Sequence, residues 1–285
     1  MNTLTLPAAA AAARGPRSVP APAGAAQAVG TLPTLWALTG FSLALLLGFA
    51  AAAALDARAL DGTNVWLKPA KFALSFVVLY ATMALVAERL SAAVREGRLM
   101  RIVLAVMTIA TAGEMAYIAG QAGRGVHLHF SVYTPFTALM YTLMGIGAVA
   151  LVVCIGIVGV IAWRDRAARF GPALRLGVGL GFVLSAALTF VIAGHLGGNG
   201  SHFVGTPSAG AAALPLLGWS LEVGDLRPAH FLALHAMQVL PLLGLWLDRR
   251  GQRSPLLPWT AAAAYAALTV GVFVQALMGL PLWRV

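Results

Sequence analysis

Seven runs of about 20 apolar residues constrain this chain more than any other feature. They lie at about 33–55, 67–87, 102–121, 134–163, 175–196, 229–247 and 257–280. Coiled as an α-helix, a run of that length crosses the hydrocarbon core of a bilayer. No water is present there to pair with backbone N–H and C=O groups, so each run must satisfy its own backbone as a helix. The expected fold is all-α: a polytopic integral membrane bundle of about seven transmembrane helices. Composition agrees. The chain has 285 residues, 60% of them hydrophobic and 10% charged, with a mean hydropathy of +0.86. Soluble domains carry roughly a quarter charged residues.

Residues 1–30 are rich in Ala, Pro and Gly, with Arg14 and Arg17. They lack the apolar core of a cleavable signal peptide and cannot bury enough surface to fold. They read as a disordered cytoplasmic tail, followed by a transmembrane domain over 31–285. A long outer loop falls at about 197–228.

Orientation follows from the basic residues. With the N-terminus inside, 13 of the 19 Lys and Arg residues fall on the inner side and 6 on the outer side, as the positive-inside rule requires. Tryptophans give a second signal. Trp36, Trp163, Trp246 and Trp259 mark inner ends, and Trp66, Trp219 and Trp283 mark outer ends, as an aromatic belt does. The C-terminus is therefore expected outside. The implied location is a cell membrane, of the bacterial cytoplasmic (inner) type, with multiple passes. The net charge of +10 reflects this loop bias and not a nucleic-acid partner. An apolar exterior is equally compatible with a homo-oligomer and with one subunit of a larger membrane complex.

The polar chemistry is one-sided. His127, His129, His195, His202, His230 and His235 all fall at outer ends or in outer loops. Glu114 and Gln121 lie seven apart on one face of the third span, with Tyr117 beside them. Lys68, Lys71 and Ser75 form a polar stripe into the second span, extended by Asn64 if that helix starts early. His235 and Gln238 share a face of the sixth span. The inner halves offer mainly Ser and Thr. Channels and alternating-access transporters need polar groups along both halves of their path, so a cavity open only to the outside fits better.

Each group carries a bland reading and a functional one. Glu114 in hydrocarbon requires a partner, a proton or a metal; Lys71 is the ion-pair candidate, and a proton acceptor or ligand is the alternative. His127 and His129, two apart in an extended segment, are able to chelate one metal or to sit as interfacial loop residues. His195 and His235 on neighbouring helices match the arrangement that axial haem ligation needs, or each simply bonds a neighbouring helix. His230, five residues before His235, does not share its face. Arg227, Lys68, Lys71 and Arg124 ring the outer mouth against the topological bias, as anion anchors or as snorkelling charges. Gly177 and Gly181 in a Gly-x-x-x-Gly imply close helix packing. Cys154, the one cysteine, reads as a small packing residue.

No His-Glu-x-x-His, Gly-x-Ser-x-Gly or P-loop pattern occurs. The leading expectation is an oxidoreductase-class membrane protein for electron transfer, binding haem b or another metal near the outer face. His235 is one expected ligand, with His195 or His129 the other; zinc or copper with His127 and His129 is the alternative metal. Glu114 and Gln121 are the expected proton or quinone contacts, serving a small lipophilic substrate such as a quinone. Lys68, Lys71, Arg227 and Gln238 are expected to hold the cofactor. Two other classes remain open: a non-redox binding or transport protein with an outward-facing pocket for an ion or small anion, and a metal-dependent hydrolase using His127, His129 and Glu114.

Overall fold

The structure is a computed structural model that describes residues 30–60, 62–126 and 134–283. Seven of its helices are long and apolar enough to span a membrane. They are α1 (Thr31–Leu55), α2 (Leu67–Ala87), α4 (Arg98–Arg124), α5 (Pro135–Arg164), α6 (Pro172–Gly198), α7 (Leu226–Arg249) and α8 (Leu256–Leu277); α3 (Ala92–Arg95) is a short connector. Two small antiparallel strand pairs sit in loops: β1 (Ala59–Leu60) with β2 (Thr63–Asn64), and β3 (Phe203–Val204) with β4 (Gly224–Asp225). The expected tail at 1–30 lies outside the described residues except for Gly30, as does the His127–His129 segment.

Helix edges match the apolar runs to within about four residues. The differences come from caps. α4 runs past its apolar stretch until Gly125, whose φ of 66° provides the left-handed C-terminal stop. The Asp225 side chain accepts the Arg227 N–H and starts α7 at Leu226, three residues before the apolar run. Thr134 and Thr137 form a capping box at the start of α5.

Packing follows a ring. α2 packs on α4, α4 on α5, α5 on α6 and α6 on α7. Gln238 of α7 donates to Thr82 of α2 at 3.1 Å and brings the ring back to its start. α1 lies outside against α2 and α4, and α8 outside against α6 and α7. The tightest seam is α6 against α7, and the Gly-x-x-x-Gly reading is right about it. A Cβ on Gly177 would strike the Leu240 carbonyl, one on Gly181 the Ala236 carbonyl, and one on Gly244 the Ala173 carbonyl. Ser185 adds a hydrogen bond to the Leu234 carbonyl at 3.0 Å.

The arginine-rich end of the bundle is tied by carboxylates. Asp248 at the end of α7 accepts the first free N–H groups of α6, from Ala173 at 3.0 Å and Leu174 at 2.9 Å. Gly171 is needed there because a Cβ would occupy the carboxylate's place. Asp165 accepts the Ser91 N–H at 2.8 Å, and Glu96 accepts the Thr31 N–H at 3.0 Å.

Gly177→Leu or Gly181→Leu should force α6 and α7 apart and destabilise the detergent-solubilised protein by about 1–3 kcal/mol, read as a lower melting temperature. Gly194→Leu, on the same helix with nothing within 4 Å, is the control and should leave the melting temperature unchanged.

Candidate functional site

The opposite, loop-rich end gathers cations around one turn of the α6–α7 loop. Leu216 at φ 66° and Gly218 at φ 73° bend the chain there, and the turn presents consecutive carbonyls. Lys71 Nζ approaches the Leu217 carbonyl at 3.4 Å, and Arg227 Nη2 donates to the Gly218 carbonyl at 2.6 Å. Lys68 stands one turn above Lys71 on α2, within electrostatic reach of Arg227, with no hydrogen-bond or ion-pair partner among the described residues. Among the described residues the cluster thus holds Lys68, Lys71 and Arg227 against a single carboxylate, Asp225.

Asp225 organises this region. Its side chain is 1% exposed and pairs with Arg227 at 2.6 Å. It also accepts the Ser220 N–H at 2.9 Å, fixing the loop to the first turn of α7. The Arg227 guanidinium lies 5.2 Å from the Phe203 ring centroid. Gly224, beside it, packs so closely on the Ala276 carbonyl of α8 that a side chain has no room. A recess of about 250 Å³ opens in the same loop, lined in part by Phe203, Ser208, Gly218 and Ser220.

The histidines take separate environments. His195 sets its ring edge-on to Phe273 of α8, with centroids 5.6 Å apart. His235 packs on Phe231 at 4.2 Å, and its Nδ1 meets Gln238 Oε1 at 3.2 Å on the way to Thr82 of α2. One histidine therefore looks to the α8 side and the other to the α2 side. His230 buries an Nδ1 with no partner among the described residues. His202 packs on Phe203 at 4.1 Å, and burial together with the Arg227 charge lowers its pKa to about 4, against the opposing pull of Asp225. Among the described residues no three of His, Cys, Asp and Glu converge on a metal-sized site. His127 and His129 lie outside the described residues.

Glu114 is not paired with Lys71, contrary to the ion-pair expectation. Lys71 reaches the loop carbonyl, while Glu114 is 7% exposed with Oε1 unpartnered among the described residues, pressed toward Gly147 of α5. It also lies deeper than the apolar run implied, because α4 continues to Arg124, ten residues or about 15 Å further on. Gln121 donates to Tyr117 at 3.3 Å and accepts from Arg124 at 3.1 Å. Asn64 does not extend α2. It staples the preceding turn, bonding the Ala53 and Asp56 carbonyls.

Sequence reasoning missed Asp225, Ser220 and the 216–218 turn. The signal for Asp225 was present: an aspartate just before Leu226-Arg227-Pro228, the pattern of a helix N-cap with proline in the first turn. The chain matches no family model, no curated protein and no solved structure. Its class therefore rests on its own features: an all-α bundle with seven helices long and apolar enough to cross a membrane.

A histidine with its pKa lowered to about 4 stays neutral near pH 7. The unfolded loop takes up a proton first, so the docked loop loses stability as pH falls from about 6.5 toward about 4 and is unaffected above that range. Protease cleavage within 205–217 should accelerate across this window, and His202→Gln should flatten the dependence.

Proposed function

We propose that this chain is a multi-pass membrane protein, N-terminus inside, whose loop-rich end faces outward and binds a small anion at Lys68, Lys71 and Arg227. The observation that carries this reading is the excess positive charge: Lys71 and Arg227 both reach one turn, Lys68 stands within electrostatic reach of Arg227, and among the described residues the one carboxylate in the group, Asp225, is already engaged with Arg227. Cations at an outer mouth run against the topological bias, which adds to the support for this reading. The chemistry suits a carboxylate or phosphate, held by charge-assisted hydrogen bonds from two ammonium groups and a guanidinium. Glu222 keeps its charge but forms no ion pair with these cations among the described residues; its carboxylate accepts from the N–H and hydroxyl of Ser208. Binding alone or binding followed by transport would both use such a mouth.

A second reading keeps haem b, or a zinc or copper ion, with His235 as ligand and His195 or His129 opposite. One observation favours it: the Nδ1 contact with Gln238 leaves His235 Nε2 available, the arrangement common to metal-ligating histidines. It draws less support because His195 turns to Phe273 on a different seam. An optical spectrum of the purified protein, oxidised and then reduced, separates the readings. The anion reading predicts no Soret band; a band lost with His235→Ala would overturn that assignment in favour of haem.

Calorimetric titration with phosphate and with short-chain carboxylates should show saturable binding that weakens with added salt. The double variant Lys68→Ala/Lys71→Ala should lose about 10-fold or more in affinity, since each charge-assisted hydrogen bond contributes about 1.5–3 kcal/mol. Arg58→Ala is the control, because Arg58 is engaged with Asp56 and the Gly123 carbonyl. Unchanged affinity in the double variant would overturn the assignment.

A further inference from the structure

Among the described acidic residues, Glu114 is the one without a hydrogen-bond or ion-pair partner. Asp56 holds Trp66 and Arg58, Glu88 holds Trp36, and Glu96 holds Thr31. Asp165, Asp248, Glu222 and Asp225 each accept backbone N–H groups. Glu114 has no such structural task, yet it is buried in the middle of the longest-buried face of α4.

Polar side chains line that face on both sides of it. Toward the loop-rich end come Tyr117, Gln121 and Arg124, one every three or four residues and hydrogen-bonded in sequence, with Arg124 reaching the surface. Toward the arginine-rich end Thr111 bonds the Tyr80 hydroxyl at 2.7 Å, and Tyr80 donates to the Met107 carbonyl at 3.1 Å. That end of the row is closed by a satisfied, buried pair. The bonded row therefore runs from one surface to Tyr117, about one helical turn short of Glu114, and polar side chains on the far side of Glu114 end in the closed Thr111–Tyr80 pair.

We propose that Glu114 is a proton-binding site, loaded from the loop-rich end along Tyr117, Gln121 and Arg124 and sealed from the arginine-rich end. A carboxylate oxygen takes a proton that hydronium delivers at the surface end of this row: one O–H bond forms on the carboxyl as one breaks on hydronium, leaving water; release returns the proton to water and re-forms hydronium. No electron moves. The neutral acid supplies its own donor, which an unpaired buried carboxylate lacks. The groups facing Glu114 leave this assignment intact. Tyr80 on α2 is engaged with Thr111 and Met107, Lys71 with the loop, and Cys154 on α5 approaches the Val103 carbonyl well toward the other end. α5 presents Gly147 opposite Glu114, and α1 contributes no titratable side chain.

The inference stands apart from the anion site, and its test does not involve anion binding. The full-length protein in liposomes is treated with dicyclohexylcarbodiimide, which adds to a protonated carboxyl in an apolar setting, and the adduct is located by mass spectrometry. The expected result is one modified position, Glu114, with a rate that falls as the pH on the loop-rich side is raised. Glu114→Gln should show no adduct, while Glu114→Asp should regain it and so keep the result independent of any folding loss. Gln121→Leu should slow the response to a pH step on that side by several-fold. No adduct at Glu114 in folded protein at any pH, or a rate that follows only the pH on the arginine-rich side, would overturn the proposal.

Discussion

The structure depends on how helix ends obtain hydrogen-bond partners. Every long helix leaves four N–H groups free at its start, and this chain has only nine acidic residues with which to meet them. Those described sit almost entirely at the ends of helices. Asp248 closes α6, Asp225 closes α7, Glu96 reaches the first turn of α1, and Asp165 ties the α5–α6 turn to the segment before α3. Asp248, Glu96 and Asp165 also join parts of the chain distant in sequence, so for them capping and tertiary order are the same interaction. Replacing one such carboxylate leaves several backbone donors without a partner, an effect of about 1–2 kcal/mol for a cap.

This economy gives the bundle its polarity. At the arginine-rich end, carboxylates and arginines are used on backbone: Arg169 donates to the Glu88 carbonyl, and Arg175 to the carbonyls of Asp165 and Ala168. At the loop-rich end the cations Lys68, Lys71 and Arg227 outnumber the carboxylates that the described residues offer them. Asp225 satisfies Arg227, Lys71 reaches the Leu217 carbonyl of the turn at 216–218, and Lys68 has no partner among the described residues. The close α6–α7 seam, made possible by Gly177, Gly181 and Gly244, holds Arg227 at a set height relative to α2 through the Gln238–Thr82 bond. The proposed anion site and the Glu114 row therefore occupy the same half of the molecule but different helix faces.

Much of the fold was legible because its periods are long. An apolar run of 20 residues is unambiguous, and Gly177 with Gly181 marked the seam that formed. The rotation of each helix was not legible. These helices are apolar on nearly every side, since lipid accepts the same side chains as a protein core, and no stripe tells the inward face from the outward one. That is why Lys71 and Glu114, close in depth on adjacent helices, looked like partners although Glu114 turns to Gly147. Capping was legible in part. Gly125 and Asp225 carry ordinary cap signals, yet the apolar run alone set α7 three residues too late and α4 three residues too short at its C-terminal end. The turn at Leu216–Gly218 in the α6–α7 loop had no warning in composition beyond its glycine, because it is closed by backbone hydrogen bonds, Gly218 N–H to the Leu214 carbonyl and Leu214 N–H to the Trp219 carbonyl, that do not depend on side-chain type.

The central claim is that polar access exists at one end only. Cysteine accessibility tests it directly, with Cys154 buried as a silent background. Single cysteines at Lys71, Thr82 and Ser254 are challenged with a membrane-impermeant maleimide in intact cells and in inverted vesicles. The account predicts labelling at 71 only in intact cells, at 254 only in inverted vesicles, and at 82, on the α2–α7 seam between them, in neither. Labelling at 82 from the inverted side would reveal a path through the bundle and contradict a one-ended site.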